Sequence, residues 1–467
     1  GVNRHQDREG KGWAISNEDH NEDMDLIKEI GATGIRLAHY PHADYFYSLC
    51  DREGMLVWAE IPLIGKANTS SAFTENIKLQ LTELIRQNFN HPSIFCWSLF
   101  NELSEGEVKN LIGELNDLAH QEDPGRLTVA AANIENRPEN KVTDIMAYNT
   151  YPGWYWAQPS MMKSSVAHWN RLVGNKGIGV SEYGAGANVW HHQQDVKSAP
   201  RTDGIFHPEE WQSIVHEQNY QAISDCNFVW GSFVWNMFDF AADGRDEGGS
   251  HGVNQKGLVT MDRKLKKDAF YLYKAAWNQE EAFVHLCGSR YTDRCGEQTE
   301  IVIYSNQKKV TLYVDKKLAG VQEGNRIFRF MIPLTEGEHE IYAEAENCSD
   351  TIHIRKVEQE NPAYSFRQKG DVINWFDKET FDEECYSLRD TFGELLSNPK
   401  SAELVNAIME KARAARGDVA KSTSQNKNLH KMMAGIRMEN LLKQAGPALK
   451  QEDVVGLNKA LQKIKKQ

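Results

Sequence analysis

The sequence predicts an α/β protein: a (β/α)8 TIM barrel over residues 1–281, a small immunoglobulin-like β-sandwich over 282–358 and a helical, basic C-terminal module over 359–467. Three observations predict it. From Gly1 to about Gln279, short apolar runs alternate with amphipathic stretches, the pattern of βα units on a parallel sheet. From Ala282 to Val357 the apolar period drops to two, and after Asn361-Pro362 it becomes helical while Lys and Arg accumulate.

Length and charge agree with several parts. At 467 residues the chain exceeds what one core usually supports, and no apolar run approaches the ~20 residues of a membrane span. The net charge of −13 argues against nucleic acid as a partner of the whole chain. From Pro399 to Gln467, however, 14 Lys or Arg stand against 6 Asp or Glu. A solvated helical face is the plain reading of that excess and an acidic partner the other, while a docking or homo-oligomer surface is a further hypothesis for the module.

Seven cysteines without CxxC spacing fit reduced thiols and a cytoplasmic location, with a Cys287–Cys295 pair across a hairpin as the alternative. The chain opens at Gly1 inside what reads as a strand, GVNRH, so this strand lacks its start or the chain is a fragment.

In order, barrel strands are expected at Gly1–Asn3, Gly34–Ala38, Leu56–Ile61, Ile94–Leu99, Thr128–Ala132, Asp144–Tyr148, Gly179–Ser181 and Val229–Asn236. Helices are expected at Glu22–Ile30, Ser71–Asn88, Glu105–Gln121, Pro208–Asp225 and Lys266–Trp277. In such a barrel the chemistry sits at the C-terminal ends of the strands. Those ends carry Arg36 and His39, then Glu60, then Asn101-Glu102, then Asn149, Tyr151, Trp154 and Tyr155, then Glu182-Tyr183, and finally Trp235 and Asp239.

Two of these ends stand out. The run Ile94–Leu99 stops abruptly in an amide and a carboxylate, Asn101-Glu102, and the run GIGV stops in Glu182. Buried strands do not carry such groups without a use. One Glu after a strand is commonly a loop residue or a helix cap. Two at one barrel edge, with Asn before one and Tyr after the other, are what cleavage of a glycosidic bond requires: a protonated acid for the leaving oxygen and an ionised base or nucleophile.

The other candidates have bland readings too. Trp235 is either core or a platform for the apolar face of a sugar ring. Arg36 neutralises a buried carboxylate, which would also keep a nucleophile ionised. His39 and His42, or His191-His192, lack a third ligand in a suitable pattern, so no metal is expected; nor is any cofactor. His39 suits a donor to sugar hydroxyls.

Six motifs carry a resemblance: GVNRHQD (1–7), RLAHYPH (36–42), NHPSIFCWSLFNE (90–102), YNTYPGWY (148–155), SEYGAGA (181–187) and GLVTMDRKLKKDAFYLYKAAW (257–277). Together, in this order, they resemble glycoside hydrolase family 2, most of all its β-galactosidase branch. The resemblance implies a retaining exo-β-glycosidase acting on a terminal β-linked sugar, with Glu102 as acid/base and Glu182 as nucleophile. It further implies that Asn101 binds the 2-hydroxyl, His39 lines the sugar site, Tyr151 bonds the nucleophile and Trp235 forms the wall; Arg36 and Tyr183, read from their places at the strand ends, are expected to support.

A retaining route sets the two carboxyl groups about 5–5.5 Å apart. Asn254-Gln255-Lys256 resembles the Asn-x-Lys element with which β-glucuronidases of the family hold a sugar carboxylate. The expected substrate is a β-galactoside, with a β-glucuronide, or sugar binding without turnover, as the alternatives. Family members also carry N-terminal β-sandwich domains, none of which is in this sequence, so weak activity is expected of the chain alone.

After the barrel, VHLCGSR, TEIVIYSN, KVTLYVDKK, RIFRFMIPL, HEIYAEAEN and DTIHIRKV read as six strands of the sandwich. Four helices are expected beyond it, with Leu429, Met432, Met433, Ile436, Met438, Leu441 and Leu442 as their core.

Overall fold

A computed structural model describes residues 1–68, 70–105, 108–365, 382, 384–414, 436–445 and 451–466. The chain divides into two compact units, Gly1–Val372 and Ile373–Gln467.

The first unit opens with eight parallel strands: β1 (Val2–Arg4), β2 (Gly34–Leu37), β3 (Leu56–Glu60), β4 (Ile94–Glu105), β5 (Leu127–Ala132), β6 (Ile145–Asn149), β7 (Ile178–Tyr183) and β8 (Val229–Val234). The sheet closes because Val2 of β1 pairs with both Ile35 of β2 and Val234 of β8, while β3 pairs with β4. This is the expected TIM barrel.

Its strands read as continuous apolar runs because both faces are covered. Trp58, Cys96, Val129, Ala131, Ala147 and Phe233 fill the interior. Residues of opposite parity, such as Ile35, Val57, Trp97 and Val180, face the helices.

The helices are α1 (Asn17–Glu29), α2 (Asp44–Glu53), α3 (Ser71–Asn88), α4 (Lys109–Glu122), α5 (Met162–Val173), α6 (Glu209–Ser224) and α7 (Asp268–Trp277). α3 matches its expected span. α1 starts five residues before its expected first residue, because Ser16 and Asp19 form a capping box that nucleates an earlier turn. Between β5 and β6 only a 3-10 turn, Pro138–Lys141, replaces a helix. A short strand, Ile64–Lys66, joins the end of β4, which runs six residues beyond its expected end.

After β8 comes a hairpin that the sequence reading omits: β9 (Phe240–Glu247) and β10 (Ser250–Asn254), turning at Gly248-Gly249.

The sandwich has eight strands rather than six, in sheets of three and five. The stretch read as one strand, KVTLYVDKK, is a strand and a turn. Asp315 and Lys316 adopt φ of 48° and 65°, and the chain reverses into the strand Lys317–Glu323. A short strand at Asp293–Arg294 is the other addition.

The second unit holds helices at Phe392–Ser397, Pro399–Ala414, Met438–Ala445 and Gln451–Leu461. Met438, Leu441 and Leu442 join Phe392, Leu395, Val405 and Leu461 in its core, with Ile436 packed against them. The expected core residues Leu429, Met432 and Met433 lie outside the described residues. No helix among the described residues is long and apolar enough to cross a membrane.

Candidate active site

The C-terminal strand ends converge on Arg36. It is fully buried at the end of β2, where its fork meets four acceptors: Glu60 Oε2 at 2.9 Å, Glu182 Oε1 at 2.7 Å, Asn3 Oδ1 at 3.1 Å and Asn101 Oδ1 at 2.8 Å. Burial works against its charge, but Glu60 and Glu182 outweigh it and raise the guanidinium pKa. Burial likewise pushes Glu60 up, while Arg36 and His39 pull it below the usual carboxylate range. The centre of the site is thus a fixed cation shared by two buried acids.

Glu182 receives two donors. Arg36 Nη1 takes Oε1, and the Tyr151 hydroxyl donates to Oε2 at 2.6 Å. Burial, then the charge of Glu182, raise the Tyr151 pKa well above that of a free phenol, so the hydroxyl stays a donor. His39 gives Nδ1 to Glu60 at 2.7 Å, and its Nε2 lies 3.9 Å from Glu182 Oε1.

Glu102 has one donor, Asn149 Nδ2, at 2.8 Å on Oε1. Burial and then the nearby charge of Glu182 raise its pKa, and the Asn149 bond only partly opposes them. Two carboxylates of one type therefore differ: one is clamped by a cation and a phenol, the other is biased towards its protonated form.

Local backbone geometry makes this arrangement possible. In a regular strand neighbouring residues face opposite ways. The β4–β5 register slips between Ser98 and Asn101, and Glu102 takes φ 51°. Asn101 and Glu102 therefore both reach the network. The β7–β8 register slips between Val180 and Tyr183, so Ser181 and Glu182 both reach it, and Ser181 Oγ holds Asn149 Oδ1 at 2.6 Å. Such bulges are a common way to re-aim side chains at a site.

Asn101 Oδ1 accepts from Arg36 and also from Asn149 Nδ2 at 3.0 Å, which leaves its amide nitrogen to donate to a ligand. Trp235 stacks on His39, with ring centres 5.0 Å apart, and meets His5 and Phe240 edge-on. Tyr183 departs from its expected place. The slip in β7 turns its ring outward into the core near His216, and it supports the site only through its carbonyl, which accepts the Trp235 N–H at 2.9 Å.

Asn254 and Lys256 follow the hairpin. Asn254 Oδ1 accepts the Lys256 N–H at 3.1 Å, and Gly257 N–H donates to Asp239 Oδ1 at 2.8 Å. A Cβ at Gly257 would lie 2.0 Å from Asp239 N, so only glycine fits this turn. The turn buries Lys256 to 1 % exposure, where Nζ makes no close hydrogen bond but interacts with the Tyr155 side chain and lies 4.0 Å from Glu247 Oε1. Its ammonium lies 5.0 Å from the Tyr155 ring and 5.5 Å from that of Trp154. Tyr155 in turn packs edge-on against Tyr151 at 5.2 Å, so Lys256 sits two rings from the Glu182 carboxylate.

Asn3, Ser181, Arg245 and Glu247 were not foreseen, and Glu60, Asn149 and Tyr155 were noted only as strand-end groups. Arg245 Nη1 holds Glu247 at 2.8 Å and its Nη2 reaches the Tyr155 hydroxyl at 3.3 Å. The available signal for Arg245 and Glu247 was the Gly248-Gly249 pair, which marks a hairpin turn.

One cluster of metal-ligand type occurs among the described residues. Asp268, His285 and Cys287 bring ligand atoms within 4.8 Å of one another, in the seam between barrel and sandwich. Asp268 already accepts from His285 at 2.9 Å and from Gly288 N–H at 2.8 Å.

Comparison with known proteins agrees with the barrel fold. The profile of the glycosyl hydrolases family 2 TIM barrel domain matches residues 1–280. A β-glucuronidase of Bacteroides fragilis is 42 % identical over 351 residues, covering 73 % of this chain and 50 % of that protein. The crystal structure of an FMN-binding β-glucuronidase from Faecalibacterium prausnitzii superimposes with a TM-score of 0.75 at 40 % identity, covering 78 % of this chain and 57 % of that one. That of a putative β-galactosidase from Bacteroides fragilis gives 0.73 at 36 %, covering 77 % and 55 %. The chain spans about half the length of the curated relatives it matches. With its whole barrel matched and two carboxylates at the ends of β4 and β7, the chain belongs to glycosyl hydrolases family 2.

Proposed function

We propose that the chain carries the catalytic centre of a retaining exo-β-glucuronidase, with Lys256 as the anchor for the sugar carboxylate. The observation that carries this reading is the buried Lys256 ammonium, which lacks a close hydrogen bond and has only the Tyr155 side chain and the Glu247 carboxylate, 4.0 Å off, to meet it among the contacts described. A buried cation in that state is costly, and a substrate carboxylate beside it removes the cost through a charge-assisted bond. The hydroxymethyl group of a galactoside would add no opposite charge to the distant Glu247 carboxylate, 4.0 Å from Nζ. The surroundings are already electropositive. Burial would push the Tyr155 phenol up, yet Lys256 and Arg245 hold it below its usual value. The β-glucuronidases among similar proteins support this choice over the galactoside expected from the sequence.

The chemistry follows from the two carboxylates. A glucuronide bound with its carboxylate on Lys256 places its anomeric carbon before Glu182. Asn101 Nδ2 and His39 Nε2 are the groups left to meet ring hydroxyls, and Trp235 forms the apolar wall. Glu102 gives its proton to the glycosidic oxygen as a Glu182 oxygen attacks the anomeric carbon; the C–O bond breaks and an alcohol leaves. Glu102, now ionised, takes a proton from water, whose oxygen displaces Glu182. The sugar departs with its configuration retained and Glu102 is protonated again.

The test is hydrolysis of matched aryl β-glucuronide and β-galactoside by the chain and by Lys256→Ala. Glucuronide turnover that falls about ten- to hundredfold in the variant, with galactoside turnover unaffected, is expected. Preference for the galactoside, insensitive to Lys256, would overturn the assignment.

A further inference from the structure

Asp268, His285 and Cys287 lie away from the two carboxylates and take no part in the chemistry proposed for them. Strand and helix geometry brings the three together. Asp268 is the first residue of α7, the last helix of the barrel. His285 and Cys287 stand two apart along the strand Val284–Leu286 and its continuation, so alternation puts both on one face. Cys287 N–H still donates to the Val302 carbonyl at 2.9 Å, which extends the strand pairing to it. That face meets the start of α7, where His285 Nε2 lies 2.9 Å from Asp268 Oδ1.

We propose that Asp268, His285 and Cys287 bind a zinc ion that clamps the sandwich to the barrel. The site stands whichever glycoside the barrel cleaves. Donor chemistry selects the metal, because thiolate and imidazole favour zinc, whereas calcium and magnesium take oxygen ligands. The three ligand atoms lie within 4.8 Å of one another. A tetrahedral zinc, with bonds of about 2.0 Å to nitrogen or oxygen and about 2.3 Å to sulfur, spaces them about 3.3–3.5 Å apart, so a shift of about 1 Å completes the set.

The surroundings supply what such an ion needs beyond its ligands. Ligating histidines commonly give their second ring nitrogen to a carboxylate. His285 has one in place. Asp350 Oδ2 is 3.8 Å from its Nδ1, and the same oxygen is fixed by the Leu286 N–H at 2.8 Å. Asp268 holds the Gly288 N–H on Oδ2 at 2.8 Å, which leaves Oδ1 for the metal. Asp268, Cys287 and Gly288 also line a cavity of about 360 Å³, with room for a water as fourth ligand. Ser213 of α6 lines it too, and its buried hydroxyl has no hydrogen-bond partner among the described residues.

Charge balances on binding. Cys287 gives up its thiol proton to solvent and binds as thiolate, and His285 binds through Nε2 in the tautomer whose proton sits on Nδ1 beside Asp350. The thiolate and the Asp268 carboxylate then cancel the two charges of the ion.

The test uses the full chain, stripped with a chelator and titrated with Co²⁺ as a spectroscopic substitute for Zn²⁺. One equivalent is expected to bring up thiolate-to-cobalt charge-transfer absorption in the near ultraviolet with the intense visible bands of a tetrahedral ion, and one equivalent of Zn²⁺ to bleach both. Cys287→Ser should remove the charge-transfer band; Cys287→Ala serves if serine is not tolerated. Cys295→Ser, outside the cluster, should keep it. Zn²⁺ at a hundredfold excess over its dissociation constant should raise the thermal midpoint of the unaltered chain by about 3–5 °C, and that of the Cys287 variant by about 1 °C at most. A cobalt spectrum without the charge-transfer band, a band that survives loss of Cys287 or vanishes with Cys295→Ser, or a midpoint that ignores Zn²⁺ overturns the site.

Discussion

The ends of β4 and β7 carry the same side chain in opposite surroundings. At β7, Glu182 is 4 % exposed and takes donors on both oxygens, one from a guanidinium. At β4, Glu102 takes a single amide donor and feels the charge of Glu182. The difference teaches that the division into nucleophile and acid comes from the neighbours, above all from where Arg36 points. That claim can be broken in several ways.

The largest effect is expected from neutralising each carboxylate. Glu102→Gln should cost about 10²–10⁴-fold with a poor, alkoxide-type leaving group. It should cost little in the first step for glucuronyl fluoride, which needs no proton, whereas Glu182→Gln should abolish turnover of both. Steady-state and burst kinetics on the two substrates check this, and the reversed pattern would exchange the roles.

Next comes Arg36→Met, which leaves Glu60 and Glu182 buried without their cation. Loss of one partner from such a pair destabilises by about 3–5 kcal/mol, readable as a fall in the barrel's thermal midpoint beyond that of any other site variant. Tyr151→Phe removes one hydrogen bond to a charged group, worth about 1.5–3 kcal/mol. The expected loss in kcat/KM falls between that of Glu102→Gln and that of a surface change, with stability lowered by less than in Arg36→Met.

The smallest effect sharpens the comparison through pH. Glu102 acts as acid while protonated, so activity declines as pH rises through its raised pKa. Asn149 stabilises the ionised form, and removing it by Asn149→Ala raises that pKa further. The alkaline limb of the kcat/KM profile should therefore move to higher pH; a shift to lower pH would contradict the assigned hydrogen bond.

Much of this is legible in the sequence alone. Leu56–Glu60 and Ile145–Asn149 read as barrel strands because burial on both faces demands apolar runs, and a polar residue ending such a run marks the catalytic edge. Glu102, Glu182 and Arg36 followed from that rule. The β9–β10 hairpin did not, since its charged strand FAADGRDE lacks the apolar alternation that reveals strands. The sequence favours galactoside over glucuronide for a related reason. The string Asn254-Gln255-Lys256 shows a lysine but not whether its ammonium is buried without a close hydrogen bond, and burial depends on Tyr155, Trp154 and Glu247 arriving from other parts of the chain.

The sequence by itself determined the barrel, its order of strands and the residue types at their ends, because apolar period and chain direction are local properties. Only the tertiary structure decided that Asn101 and Glu102 face one pocket while Tyr183 turns away from it. Alternation along a strand predicts that neighbours diverge; the slips in β4 and β7 that defeat it are set by pairing with β5 and β8, partners that no single stretch of sequence contains.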